Sequence, residues 1–162
     1  MEDLVHRLDR WLADHAPKLL ASMNQPAPDK GGPWSRLERE LGFTLPEDFH
    51  ALYAVHNGQR PDRPGVFDGL PWLSLDHALE RYLDGDLGAD AWPDTWVPLA
   101  GDATHTLVVD YGEAPAPVVL VDQDGVPDQV ARTLRGYLTT VVTELEEGRR
   151  RLVDKRGLVR VD

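Results

Sequence analysis

The chain is predicted to adopt an α+β fold, a mainly antiparallel sheet flanked by helices. Three observations lead there. Amphipathic segments of helical period dominate the first half. Strand candidates cluster at 96–100, 106–111 and 117–122, the last two rich in β-branched residues. A further helical pattern follows them, without the regular strand–helix alternation that a parallel sheet needs. The 162 residues suit one domain, 1–162, divided into an N-terminal helix and loop (1–33), a core (34–146) and a basic C-terminal extension (147–162).

Leu4, Leu8, Trp11, Leu12, His15 and Leu19 recur at helical spacing, and Pro17 should break that helix because it lacks an N–H and clashes with the preceding turn. NQPAPDKGGP at 24–33 reads as a loop. Ser35 and Glu38 have capping-box spacing, Trp34, Leu37 and Leu41 share a face, and Gly42 ends the helix. Thr44 and Glu47 form a second capping-box pattern, with Pro46 expected in the first turn. Leu45, Phe49, Leu52, Tyr53 and His56 lie on one face, and Asn57-Gly58 supplies the stop and a turn.

Residues 60–73 suggest brief edge strands. Ser74 should cap a helix striped by Leu75, Leu79, Tyr82 and Leu83 and closed by Gly85, with Asp76 and His77 near its start. WVPLA, TLVVDY and PVVLVD are the strand candidates, and GEAPA predicts a hairpin between the last two. Asp124-Gly125 starts a turn. A long helix is expected to carry Val130, Leu134, Tyr137, Leu138, Val141 and Leu145 and to close at Gly148. LVRV at 158–161 is a final edge-strand candidate.

The net charge of -11 argues against direct nucleic-acid binding, which needs clustered Lys and Arg. Between Arg81 and Arg132 there is no Lys or Arg, while Asp84, Asp86, Asp90, Asp94, Asp102, Asp110, Glu113, Asp122, Asp124 and Asp128 fall there. Two readings stand: a soluble, Asp-biased surface, or a negative field that steers a basic partner. Trp34, Trp72, Trp92 and Trp96 read as core or sheet-covering residues; Trp92 and Trp96, inside the acidic interval, also read as binding anchors ringed by carboxylates.

With no cysteine, thiol catalysis, disulfides and cysteine-zinc sites are excluded. The six histidines form no HExxH or HxH set. DQDG at 122–125 opens like a calcium loop, but its twelfth position is Thr133 rather than Glu. No P-loop or G-x-S-x-G motif occurs, and Asp110, at a strand end, has no base or nucleophile adjacent in sequence. No enzymatic activity, cofactor or metal is therefore expected. No apolar run approaches the roughly 20 residues of a membrane span. The first segment is broken by charges, unlike a signal peptide, so a cytoplasmic protein is expected.

Leu41-Gly42, Leu45-Pro46 and Asn57-Gly58 stand in the order LG, LP, helix, NG, with Trp34 before them and HNGQ at 56–59. GVFDGLPWLSLDHAL at 65–79, WVPLA, LVVD ending in Asp110, and ARTLRGYL at 131–138 continue the pattern. This arrangement resembles the SUKH superfamily over about residues 34–146. That group contains the fungal cell-wall assembly regulator and many bacterial immunity proteins that neutralise toxins. Thr133 and Leu134 stand where the family pattern has Ser and Trp. The resemblance implies an α+β fold and a non-enzymatic protein that binds other proteins, its motif residues (Trp34, Leu41, Gly42, Leu45, Pro46, His56, Asn57, Gly58 and Asp110) being mainly scaffold. The expected function is toxin neutralisation, with Asp84, Asp86, Asp90, Trp92, Asp94 and Trp96 contacting a basic toxin or nuclease domain. The alternative is a regulatory adaptor that binds a signalling or envelope-assembly protein.

Overall fold

The structure, a computed structural model, describes residues 1–28, 31–85 and 92–161. Along the chain come α1 (Glu2–His15), α2 (Pro17–Leu20), α3 (Gly32–Leu41), α4 (Glu47–Tyr53), α5 (Leu75–Asp84), β1 (Trp96–Gly101), β2 (His105–Asp110), β3 (Val118–Asp122), β4 (Pro127–Ala131), α6 (Leu134–Glu146), β5 (Arg150–Val153) and β6 (Gly157–Arg160). β1-β2-β3-β4 form an antiparallel sheet in that order, and β5-β6 a separate hairpin. The α+β expectation holds. No described helix is long and apolar enough to cross a membrane.

Strand alternation divides the sheet's two faces. Leu107, Val109 and Val118 point into the main core with Leu8 and Leu12 of α1, Phe49 and Leu52 of α4, and Leu138 and Val142 of α6. Val108, Val119 and Val121 point the other way, into a small cluster with Trp92 and Trp96. The edge of β1 is not bare. Leu73 N–H donates to the Leu99 carbonyl at 3.0 Å, Gly101 N–H donates to the Pro71 carbonyl at 3.0 Å, and Trp72 bridges to Ala100. Gln59 N–H in turn donates to the Trp72 carbonyl at 2.9 Å, and Gln59 bridges to Met23. Short segments thus prolong the sheet past β1 toward the N-terminal helices.

Several local expectations hold. The chain breaks at Ala16-Pro17, Ser74 Oγ caps α5 by accepting from His77 N–H at 3.2 Å, and Gly42 and Gly85 close their helices at positive φ. Neither capping box forms. Helix α3 starts at Gly32, which puts Ser35 inside it, and Pro46 rather than Thr44 is the residue before α4. The Glu38 carboxylate instead accepts from Leu45 N–H at 2.9 Å, tying α3 to the chain entering α4. Helix α4 ends at Tyr53, before Asn57-Gly58. Leu83 is 59% exposed, outside the expected stripe. Val130 belongs to β4, not to the last helix. Its spacing from Leu134 imitates a helical period, and the exposed, polar edge strand that holds it is defined by pairing with β3.

HNGQ is the junction of the fold. Gln59, 1% exposed, accepts through Oε1 from Val66 N–H (3.2 Å) and Trp72 N–H (3.1 Å), and donates through Nε2 to the Pro64 carbonyl (2.9 Å). Asn57 Oδ1 accepts from Leu75 N–H at 2.9 Å, meeting a free donor in the first turn of α5, and Asn24 Nδ2 donates to the Asn57 carbonyl at 2.8 Å. Gly58 has φ +69, and a Cβ there would lie 2.5 Å from the Leu73 carbonyl carbon. His56 Nε2 lies 2.9 Å from both Asp9 carboxylate oxygens, while Nδ1 lies 3.3 Å from the Asn24 carbonyl. Acceptors at both ring nitrogens suit the doubly protonated imidazolium. Burial disfavours that form, but the Asp9 and Asn24 contacts outweigh it and raise the His56 pKa.

The basic C-terminal segment is not a free tail available to a neighbour's acidic face. It folds into β5-β6, and Leu158 joins the main core. Leu158 N–H donates to the Gly65 carbonyl at 2.9 Å, and a Cβ on Gly157 would lie 2.2 Å from that oxygen. Arg150 Nε (2.7 Å), Arg160 Nε (2.9 Å) and Arg149 Nη1 (3.1 Å) donate to Glu144 on α6. Arg150 Nη1 and the Tyr137 hydroxyl each donate to Asp68 at 2.5 Å. Burial alone would raise the Glu144 pKa; the arginines outweigh it and hold it below the ordinary carboxylate value.

Three measurements test these junctions. Gln59→Leu leaves two buried backbone N–H groups and the half-buried Pro64 carbonyl unpaired and should cost roughly 3 kcal/mol in urea unfolding. Glu144→Gln removes one of the two counter-charges of Arg150, itself 3% exposed, and should cost about 3 kcal/mol by the same assay. The raised His56 pKa makes its contribution complete below the unfolded value of about 6.5 and lost as pH rises through the folded value. The melting temperature difference between wild type and His56→Gln should therefore shrink from pH 6 to pH 8.

Candidate partner-binding surface

The motif residues are placed as scaffold. Trp34 is buried, stacked on His50 at 4.0 Å between ring centroids and edge-on to Phe49 and Tyr53. Leu41 and Leu45 are core residues, Gly42 closes α3, and Pro46 precedes α4. His56, Asn57 and Gly58 belong to the junction described above. Asp110 Oδ1 accepts from Thr95 Oγ1 at 2.9 Å and Gly112 N–H at 2.8 Å, which binds the chain entering β1 to the exit of β2. Thr133 Oγ1 caps α6 by accepting from Gly136 N–H at 2.9 Å, and Leu134 is buried in the core.

The residues expected to touch a partner sit differently. Asp84 is exposed at the last position of α5. Asp94 is exposed before β1, and its carbonyl accepts from the Tyr82 hydroxyl at 3.2 Å. Trp92 and Trp96 meet edge to face with centroids 5.6 Å apart, and Trp92 Nε1 donates to the Trp96 carbonyl at 3.2 Å. Both rings are half-buried over the valine cluster on the outer sheet face, so each covers the sheet and still presents surface. Asp86 and Asp90 lie outside the described residues.

The acidic interval does not gather on one face. Register puts Trp96 opposite Asp110 and His105 opposite Asp122. Asp94, Asp110 and Glu113 therefore lie at one end of the sheet, and Asp102, Asp122 and Asp124 at the other, about 17 Å away along the strands. Asp84 and Asp102 come together instead across a groove of about 650 Å³ between α5 and the β1-β2 turn. Buried Trp72 and Leu73, with half-buried Pro71, form its apolar floor, and the exposed carboxylates Glu80, Asp84 and Asp102 stand on its rim. Arg81 lies in the wall, its Nη2 donating to the Asp102 carbonyl at 2.8 Å.

Asp102 is built in rather than merely exposed. Its Oδ1 accepts from Thr104 N–H (2.7 Å), Thr104 Oγ1 (2.9 Å) and His105 N–H (2.9 Å). Partial burial would raise its pKa; these bonds prevail and lower it, which favours the charged form of Asp102. Sequence reasoning did not find this groove. Asp102 stood inside the acidic interval, but its approach to Glu80 and to the 71–73 segment is a consequence of the sheet extension past β1.

The model of the SMI1/KNR4 family (SUKH-1) matches residues 34–140. F-box only protein 3 from Bos taurus and from Homo sapiens is 29% identical to this chain over 82 residues, which is 51% of this chain and 17% of those proteins. The shared stretch is thus a small part of those relatives' length. The match covers the motifs from Trp34 to the first half of α6, including the HNGQ junction and the central strands, and the chain belongs to the SMI1/KNR4 family (SUKH-1), whose members are generally non-enzymatic.

Proposed function

We propose that the chain is an immunity-type protein that binds a toxin domain in the cytoplasm and occludes its active site. The observation that carries this reading is a contrast between two sets of polar side chains. Those of the motif are consumed by internal bonds: His56, Asn57, Gln59 and Asp110 all serve the fold. Those from α5 to the β1-β2 turn face outward, with Glu80, Asp84, Asp94 and Asp102 exposed beside the half-buried Trp92–Trp96 pair. A cleft evolved to hold phosphates is basic, and carboxylates around aromatic contact area complement it in charge.

A second reading is a regulatory adaptor for a signalling or envelope-assembly protein. It is favoured by the match to F-box only protein 3, in which the related stretch is 17% of a longer animal protein. On this reading the module serves partners other than toxins.

Capture of the tagged protein's partner at low salt, followed by mass spectrometry, separates the readings. The expected result is a basic toxin-like domain that is released as salt rises. Changing Asp84, Asp86, Asp90 and Asp94 together to Asn should weaken that complex by about tenfold or more and flatten its salt dependence. Unchanged affinity would remove the acidic surface from the contact, and a signalling or envelope protein in the capture would favour the adaptor.

A further inference from the structure

We propose that the groove between α5 and the β1-β2 turn receives one long basic side chain, Arg or Lys, from the partner protein. This inference rests on the protein-binding reading above and names the chemistry of its contact point. The groove has two components that a basic side chain uses separately. Its floor of Trp72, Leu73 and Pro71 is apolar and suits the methylene stem. Its rim carries Glu80, Asp84 and Asp102, which suit the charged head.

Arg81 lays its own guanidinium along the wall and donates to the Asp102 carbonyl, so a cation already fits this lining. Three carboxylates against that one guanidinium leave the groove negative. The Asp102 carboxyl is fixed by three hydrogen bonds at the turn, so it meets an incoming cation without reorganising. At about 650 Å³ the groove has room for a side chain and the backbone that carries it.

The test is a two-dimensional amide NMR titration of the full chain with three blocked tripeptides, Ac-Gly-Arg-Gly-NH2, Ac-Gly-Lys-Gly-NH2 and Ac-Gly-Gln-Gly-NH2. The Arg or Lys peptide should move the amides of Glu80–Asp84 and Gly101–Ala103 in a saturable way, and the Gln peptide should not. The two basic arms decide between guanidinium and ammonium. Glu80→Gln with Asp84→Asn should weaken binding by about fivefold or more. Ala103→Trp, at an exposed groove position, fills space without changing charge and should also abolish binding. Glu47→Gln, exposed on α4 and away from the groove, should bind like wild type. Shifts centred on Asp122–Asp128, or wild-type binding by Ala103→Trp, would overturn the groove and leave only diffuse attraction between charges. The two proposals fail separately. A captured partner that ignores Ala103→Trp removes the groove alone, whereas groove-specific peptide binding with no protein partner removes the immunity reading alone.

Discussion

The buried amide of Gln59 is the constraint on which the rest of the structure depends. It satisfies two backbone donors and one backbone acceptor in segments that have no secondary structure of their own to satisfy them. Loops of this kind normally run over the surface because buried backbone groups need partners. Here one side chain supplies the partners, and residues 64–72 can cross the interior. That crossing brings Trp72 onto the edge of β1, closes an edge that would otherwise be open to another strand, and forms the groove floor.

Two further fastenings act on the same loop. Gly157 lets the hairpin backbone meet that of Gly65 where a Cβ would collide, which seats β5-β6, and Gly65 in turn lies against the Leu70 backbone of its own loop. The Glu144 and Asp68 carboxylates then hold the hairpin's arginines. Asp68 itself adopts φ +53, a left-handed conformation that Asp tolerates better than most residues. A buried ionic cluster of this type adds little net stability, but it specifies one arrangement strongly, because any other leaves a charge unpaired.

This economy explains why a family motif rich in His, Asn and Gln carries no evident chemistry. Each of those side chains completes a junction between elements distant in sequence: His56 with Asp9 and Asn57 with the start of α5. What faces outward is the set around α5 and the β1-β2 turn, the surface proposed above for a partner. There the apolar 71–73 segment owes its position to the Gln59 junction, and the Asp102 carboxylate is fixed by its own β1-β2 turn. Scaffold and surface are therefore linked through the loop, although the motif residues need not touch the partner.

The sequence by itself determined the fold class, the three central strands, the break at Pro17, the Ser74 cap and the family, because each depends on local periodicity, local backbone restriction or the order of short motifs. Tertiary structure alone decided the rest. The edge strand β4 has no alternation to announce it and exists through pairing with β3. Ser35 and Thr44 have the right spacing for capping boxes, yet Glu38 is drawn to Leu45 and His50 by packing between helices. The partners of the basic C-terminal extension, Glu144 and Asp68, are not legible in the sequence, Asp68 standing 82 positions before Arg150. The acidic interval left open whether its carboxylates share a face, and strand register sends Asp110 and Asp122 to opposite ends of the sheet. Charge composition is a property of the chain, whereas the proximity of charges follows from which strand lies beside which.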